Sequence, residues 1–266
     1  MAKVAKVNSA QSKSMKKARL VKNRHVKNAA KAKKVTATRG SSGSSGKSQE
    51  PWFSVFAGSN NEEYQAYMRN EWGWEKRGDV ALFEKLCLEG QQAGLSWATV
   101  LAKRAAYRKA FHNFNIAKCA AMSDKDVDRM LTSHKSRFGG RDSVICHRGK
   151  LLSIPQNARR VLSLRSAPYI DPKTGAACRT LDELLWSFVD GKPILNNWPS
   201  KKAIPTVTPT AETMAKALRK LGFSFVGATI CYSLMQSCGL VIDHPKGTPE
   251  HRAAAARLAR RRQSSR

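Results

Sequence analysis

Residues 86–97 read LCLEGQQAGLSW, and this stretch joins the end of an apolar helix pattern to a glycine-bounded turn and a tryptophan. Glu89 follows Leu86 by three residues and Leu82 by seven, so it shares a helix face with side chains that pack inward. A carboxylate on such a face is costly to desolvate unless it gains a partner. The stretch alone leaves two alternatives: the helix ends at Leu88 and Glu89 turns to solvent, or Glu89 is a buried group with a chemical role.

The chain is strongly basic, and its charge is concentrated at the two ends. It has 266 residues, 41% of them hydrophobic, and a formal net charge of +29. Residues 1–49 carry 11 Lys and 3 Arg without an acid, and residues 246–266 carry seven basic groups and one acid. Removing these +14 and +6 contributions leaves +9 for residues 50–245. Such a charge favours a polyanionic partner, because binding releases condensed counterions.

The two ends are expected to lie outside the folded domain. Residues 1–49 lack aromatic residues and apolar periodicity, and they close with the linker-like run RGSSGSSG, so a disordered tail is expected. Residues 246–266 are predicted to be a disordered basic tail, which leaves one globular domain at 50–245. The basic runs Lys31–Lys34 and Arg260–Arg262 favour the nucleus, with a mitochondrial transit peptide as the alternative.

Residues 225–242 contain no charged side chain, yet they do not indicate a membrane span. Polar residues interrupt the run and Gly239 is a helix stop, so a buried core helix is expected. The six cysteines include no C-x-x-C pair and fall largely in apolar patterns, which indicates reduced core residues of an intracellular protein. No apolar run follows Met1, so secretion is not expected.

Helix signals dominate from Asn61 onward, and no run alternates convincingly with the period of a strand. The clearest expected helices cover residues 80–88, 96–111, 123–131, 148–164, 181–189, 208–221 and 225–242. Thr208 and Pro209 form an N-cap followed by proline in the first helical position. These signals predict an all-α fold of roughly eight to ten helices.

Several motifs occur in the order found in the bacterial DNA-3-methyladenine glycosylase I family, and the chain resembles that family. They are NEWG at 70–73, LEGQQAGLSW at 88–97, HRGK at 147–150, LWSFV at 185–189, GFSFVG at 222–227 and ICY at 230–232. The resemblance covers about residues 52–244. It implies an all-helical helix-hairpin-helix glycosylase that removes damaged bases from DNA, with no cofactor.

The chemistry of the implied substrate fits a carboxylate among aromatic rings. N3-methyladenine in DNA is a cationic purine, so its glycosidic bond is already weakened and strong acid catalysis is unnecessary. The enzyme must extrude the nucleotide, hold the base and position water. Ring faces attract a cationic base, and a carboxylate accepts from its exocyclic amine. The resemblance therefore favours base recognition by a buried Glu89, rather than activation of water.

The resemblance also assigns the base pocket residue by residue. Glu89 would bind the adenine edge, Trp97 and Trp72 would stack with the base, and Tyr67 would supply a polar contact, with Tyr64 a weaker candidate on the same helical side. Each aromatic residue has the alternative of ordinary packing, and only their joint placement around Glu89 favours the pocket.

DNA contacts are assigned to a turn and to a predicted hairpin. The turn residues would enter the gap left by the flipped base, and the hairpin would offer backbone N–H groups and basic side chains to phosphate. The assigned residues are Gln92, Gly94, Leu95, His147, Arg148, Gly149 and Lys150.

The chain departs from the family pattern at an apparent insertion, residues 133–143, which carries Lys135, Arg137 and Arg141. This loop is expected beside the hairpin, either as a tolerated surface insertion or as an added phosphate contact. Asp142 is not expected to be catalytic, because the resembling family works without the aspartate of other helix-hairpin-helix glycosylases.

A second departure concerns zinc, which bacterial members hold with two Cys and two His near their ends. Here only His244 clearly matches a ligand position, Met68 and Thr248 stand at two others, and no Cys precedes Trp52. A closed structural site needs four ligands. We therefore expect no metal, and ends that are either held by packing or looser than in the family.

Three hypotheses follow. The first is a monofunctional base-excision glycosylase that acts as a monomer on alkylated double-stranded DNA, releases 3-methyladenine and leaves an abasic site. No lysine is placed by the motifs to form a Schiff base. The second is a catalytically weak DNA-damage binding protein with the same fold. The third is a basic structural protein of ribosome or chromatin type, which would explain the ends but not the cluster around Glu89.

Overall fold

The computed structural model describes Trp52–Phe53, residues 61–132 and residues 142–264. All of them belong to one compact unit. The predicted N-terminal tail and most of the predicted insertion at 133–143 lie outside the described residues.

The described residues form a mostly helical domain, which confirms the predicted fold class. Its helices are α1 (Glu62–Asn70), α2 (Asp79–Gln92), α3 (Trp97–Leu101), α4 (Arg104–Ala110), α5 (Ile116–Ala121), α6 (Asp124–Thr132), α7 (Arg148–Ser163), α8 (Leu181–Ser187), α9 (Pro209–Lys220), α10 (Ala228–Ser237) and α11 (Pro249–Ser264). Short 3₁₀ turns cover His112–Phe114 and Lys201–Ala203. Two-residue strands pair β1 (Tyr169–Ile170) antiparallel with β2 (Ala177–Cys178), and β3 (Ile194–Leu195) parallel with β4 (Val241–Ile242).

Helix α2 lies at the centre of the domain and packs against α3, α7, α8 and α10. It is buried around most of its circumference, because apolar side chains such as Leu82, Phe83 and Leu88 lie on different faces and are all fully buried. The helix continues through Gln92, and Glu89 is only 3% exposed. The alternative in which the helix ends at Leu88 and Glu89 turns to solvent is therefore wrong.

The predicted helix at 96–111 is divided into α3 and α4. At the break, the Lys103 N–H donates to the Val100 carbonyl at 3.0 Å, three residues back. The Lys103 ammonium is buried and donates to the Ser143 carbonyl at 3.0 Å. The helical periodicity gives no sign of this tertiary contact. Because the predicted helix is divided in two, the described residues form eleven α-helices, slightly more than the eight to ten expected.

The apolar run at 225–242 contains the shorter helix α10, which ends before Gly239, as the stop signal predicted. Gly239 has φ +69°, and a Cβ there would lie 2.6 Å from the backbone of Trp74 and Glu75. A larger residue is therefore excluded by space as well as by backbone conformation. Across the described ranges, no helix combines the length and apolar character that crossing a membrane requires.

The C-terminal residues correct the prediction of a disordered tail from residue 246. Helix α11 covers Pro249–Ser264, and its Ala254 and His251 side chains are buried. The Arg257 guanidinium lies 4.6 Å from the centre of the Trp74 ring. An alanine-rich sequence with high helix propensity gains a stable helix here, because one face packs on the domain.

Candidate active site

A cavity of about 480 Å³ lies among helices α1, α2, α3 and α10. Its volume admits a ligand the size of a nucleobase. All five residues that the sequence predicted for the pocket line this cavity: Glu89, Tyr67, Trp97, Trp72 and Tyr64. The fold thus brings together side chains from two helices, the loop after α1 and the first residue of α3.

Glu89 is held in the wall of the cavity by a buried ion pair. Its carboxylate lies 3.1 Å from the ammonium of Lys85, one helical turn earlier, and both side chains are at most 4% exposed. Lys85 also donates to the Tyr67 hydroxyl at 3.0 Å and lies 4.0 Å from the centre of the Trp97 ring. Sequence reasoning missed Lys85, although its i,i+4 spacing to Glu89 on a buried face was a usable signal.

The aromatic side chains form a continuous wall beside this ion pair. The Tyr67 and Trp97 ring centres are 5.3 Å apart, and Tyr64 packs edge-on against Tyr67 at 6.3 Å. Burial, followed by the nearby Glu89 charge, raises the pKa of Tyr64 to about 12 and the pKa of Tyr67 well above its ordinary value. Both phenols therefore keep their protons at neutral pH.

Another part of the cavity wall is organised by Asp243, a second residue that sequence reasoning missed. Its fully buried carboxylate accepts hydrogen bonds from Tyr232 and Gln236, which line the cavity. It also accepts from the side chains of Asn196 at 2.6 Å and Trp198 at 2.8 Å. Four donors satisfy the buried charge, so Asp243 fixes the orientation of Tyr232 and Gln236. An acid directly after the apolar run at 225–242 was the available signal.

The turn predicted to enter the DNA lies at the rim of the cavity. Gln92 lines the cavity, Gly94 is exposed with φ +73°, and Leu95 is partly buried against the core. Asp142 is exposed and does not line the cavity.

Three of the four predicted hairpin residues are exposed at the N-terminus of α7. His147 is the N-cap, and its Nδ1 accepts from the Lys150 N–H at 3.2 Å. Arg148 donates to the Asp128 carboxylate at 2.7 Å, so a phosphate would compete with this acid. The His147 ring thus caps one N–H group of this N-terminus, and an anion could approach only beside the exposed Arg148 and Gly149.

Lys150 requires a correction, because its side chain is not placed to contact phosphate. The side chain is buried, and its ammonium donates to the carbonyls of Gln91 and Ala93 at 2.7 and 2.6 Å. In return, the Gln91 amide donates to the Lys150 carbonyl at 2.8 Å. Lys150 therefore ties the N-terminus of α7 to the end of α2 and to the turn that follows it.

Comparison with known proteins decides the family, since the methyladenine glycosylase family model matches residues 57–251. This chain belongs to that family. It is a glycosylase, which argues against the hypothesis of a structural protein.

Two curated glycosylases and one solved structure illustrate the similarity. The chain is 44% identical to DNA-3-methyladenine glycosylase 1 of Escherichia coli (strain K12), over 71% of this chain and 91% of that protein. It is 42% identical to DNA-3-methyladenine glycosylase of Haemophilus influenzae, over 70% and 91%. The structure of 3-methyladenine DNA glycosylase I from Staphylococcus aureus matches with a TM-score of 0.65 at 32% identity, covering 75% of this chain and 97% of that one.

The zinc site described for bacterial members of the methyladenine glycosylase family does not fit the residues of this chain. His244 is fully buried, and neither ring nitrogen has a hydrogen-bond partner among the described residues. Its ring is surrounded by Trp52, Trp72 and Trp74, with ring centres 5.9, 5.1 and 6.0 Å away. Within the described ranges, no group of three or more His, Cys, Asp or Glu side chains could hold a metal ion.

Burial also sets the protonation of this histidine. Desolvation, followed by the nearby His251, lowers the pKa of His244 to about 4. The neutral ring therefore packs as an aromatic group among three tryptophans, which we name the His244 cluster. This packing joins Trp52 to the segment that precedes α11.

Proposed function

We propose that this glycosylase hydrolyses the N-glycosidic bond of 3-methyladenine in alkylated double-stranded DNA and leaves an abasic site. The buried Glu89 carboxylate inside an aromatic cavity is the observation that supports this proposal most directly. The names of the related proteins support the same substrate. The protein would act as a monomer on a nucleotide flipped out of the duplex.

Base recognition would divide among the residues of the cavity. Glu89 would accept from the exocyclic amine, and the Trp97 and Trp72 rings would contact the faces of the cationic base. The protonated Tyr67 and Tyr64 hydroxyls would offer polar contacts. The buried Trp97 indole N–H has no hydrogen-bond partner among the described residues.

Because a cationic purine departs as a neutral base, extrusion and positioning would supply most of the rate enhancement. Gln92, Gly94 and Leu95 would occupy the gap in the stack, while the N-terminus of α7 with Arg148 would bind phosphate. Lys85 does not line the cavity, and its ammonium is bound to Glu89 and Tyr67. This arrangement supports a monofunctional reaction without a Schiff base.

The test is release of 3-methyladenine from alkylated duplex DNA, measured with metal analysis on the same sample. Glu89→Gln and Trp97→Ala should each lower the rate at least about tenfold, which corresponds to the loss of one good contact in the transition state. Circular dichroism of both variants controls for folding, because Glu89→Gln leaves Lys85 without its buried partner. Equal release by the wild type and both variants would refute the pocket assignment.

One observation favours the second candidate, a catalytically weak protein that binds damaged DNA. Glu89 is already paired with Lys85, so its charge is partly neutralised before any base enters. Lesion-selective binding without release of base under single-turnover conditions would support this alternative.

Nuclear localisation is part of the proposal, with mitochondria as the alternative. Imaging of a fluorescent fusion with and without residues 1–46 would test it, because the basic run Lys31–Lys34 of that segment supports import.

A further inference from the structure

Among the described residues, Lys201 is the one basic side chain that lines the cavity, and Glu89 is the one acidic side chain. Glu89 is only 3% exposed and lies in the closed part of the cavity, whereas Lys201 is half-buried. Ser96, Thr206 and Thr229 also line the cavity and are exposed, so they mark its entrance. Lys201 borders both the cavity and solvent, and it therefore belongs to this entrance.

The position of Lys201 is set by the segment that joins β3 to α9. The Asn196 and Trp198 side chains of this segment donate to the buried Asp243 carboxylate at 2.6 and 2.8 Å. Lys201 begins a 3₁₀ turn three residues after Trp198, and its carbonyl accepts from the Ile204 N–H at 3.2 Å. The backbone of Lys201 is thus anchored through the same carboxylate that orients part of the cavity wall.

A flipped nucleotide brings two phosphate groups to the entrance of a base pocket. The base enters the cavity while the DNA strand continues on both sides, so the phosphates before and after the nucleotide stay outside. Helix α10 begins at Ala228, and Thr229 in its first turn lines the cavity. The positive end of the α10 dipole and the Lys201 ammonium therefore both favour negative charge at this entrance.

The charge of Lys201 favours a phosphate rather than the sugar as its partner. When a cationic base departs as a neutral molecule, the positive charge passes to the sugar. A cation beside that sugar would oppose bond cleavage unless an anion neutralised it. A phosphate bound to the Lys201 ammonium supplies this anion and makes the entrance compatible with the reaction.

We propose that Lys201 is a positioning residue for the flipped nucleotide, and that its ammonium binds one of the two phosphates flanking that nucleotide. This inference rests on the proposed function, because it concerns the nucleotide whose base enters the cavity. It adds a substrate contact from the segment between β3 and α9, which lies outside the turn and the α7 residues assigned to DNA.

The test uses duplex DNA with a single tetrahydrofuran nucleotide, a stable abasic analogue that keeps both flanking phosphates. In two further duplexes, a neutral methylphosphonate replaces the phosphate on the 5′ or the 3′ side of this nucleotide. Dissociation constants would be measured by fluorescence anisotropy for the wild type, Lys201→Met and Lys202→Met. Lys202 is a matched control, because this adjacent side chain has the same charge but is exposed and does not line the cavity.

Lys201→Met should raise the dissociation constant for the unmodified abasic duplex by about fivefold, the effect of losing one partly exposed ion pair. One of the two methylphosphonates should raise the wild-type constant by a similar factor and should have no further effect on Lys201→Met. In Lys202→Met, the same methylphosphonate should keep its full effect. The inference is overturned if Lys201→Met and both methylphosphonates act additively, or if neither methylphosphonate affects the wild type.

A conservative variant separates the loss of charge from a disturbed turn. Lys201→Arg keeps a cation at the entrance, so it should restore most of the methylphosphonate effect, which a merely structural role would not do. If circular dichroism shows that Lys201→Met is unfolded, Lys201→Gln takes its place in the same comparison. A wild type that releases 3-methyladenine but shows no coupling would refute only this inference. A wild type that releases no base and binds the abasic duplex no more tightly than an undamaged one would refute the proposed function as well.

Discussion

Lys150 and Arg148 lie two residues apart at the start of α7, yet the structure gives them different roles that a pair of substitutions can separate. Lys150→Met removes two buried, charge-assisted hydrogen bonds to the Gln91 and Ala93 carbonyls. Each such bond is worth about 1.5–3 kcal/mol. Burial of an ammonium is itself costly, and this partly offsets the loss. We expect Lys150→Met to lower the free energy of unfolding by about 2–4 kcal/mol.

Arg148→Met changes an exposed side chain, so the free energy of unfolding should hardly change. A plot of the logarithm of the DNA association constant against the logarithm of salt concentration has a negative slope. If Arg148 binds phosphate, Arg148→Met should make this slope shallower by about 0.9. Lys150→Met should leave that slope unchanged, because its ammonium faces the protein.

Urea denaturation and DNA binding at several salt concentrations measure the two quantities on the same proteins. Base release should fall in Lys150→Met, since the turn that begins at Gln92 loses its anchor. The reasoning is refuted if Lys150→Met keeps the wild-type stability while its salt slope drops as for Arg148→Met.

Three further outcomes follow from the geometry. Gly73→Ala should lower the free energy of unfolding by about 2–5 kcal/mol in urea, because φ is +78° and the added Cβ would lie 2.6 Å from His244 Nε2; a loss below about 1 kcal/mol would show that the His244 ring can move. The wild type should lose stability relative to Tyr64→Phe between pH 10 and 12, by about 1 kcal/mol per pH unit, because only the unfolded state releases the Tyr64 proton in that window; parallel curves would contradict the raised pKa. Deleting residues 1–46 should leave base release from short duplexes nearly intact and weaken nonspecific DNA binding, and a folded but inactive product would show that the segment belongs to the active unit.

The order of helices and the members of the pocket were predictable because they depend on local signals and on long motifs. Helical spacing placed Glu89 on a buried face, and the resemblance brought Tyr67, Trp72 and Trp97 to it. The described structure places all of them around one cavity. The glycine at 239 predicted where α10 ends, since a positive φ and a close backbone approach leave no alternative.

Contacts between distant segments were not predictable in the same way. Lys150 looked like a phosphate ligand because a basic residue at a helix N-terminus usually is exposed, and only the fold shows that the carbonyls of Gln91 and Ala93 reach it first. Asp243 accepts from residues 196 and 198, which follow β3, and from residues 232 and 236 on α10, and no periodicity connects the first pair with the second. The C-terminal helix was missed because its burial depends on contacts with Trp74 rather than on its own apolar pattern.

The His244 cluster changes the conditions under which the ends of the domain stay joined. A structural zinc site that joins two ends of a domain is lost when a chelator removes the ion or when an oxidant consumes its cysteine thiolates. Packed rings have no such chemical vulnerability, and they separate only when heat, denaturant or protonation of the enclosed imidazole favours the open state. The contact between Trp52 and the segment before α11 should therefore withstand a chelator, and it should weaken in acid, because the His244 ring gains a proton more readily in the unfolded chain than in the folded one.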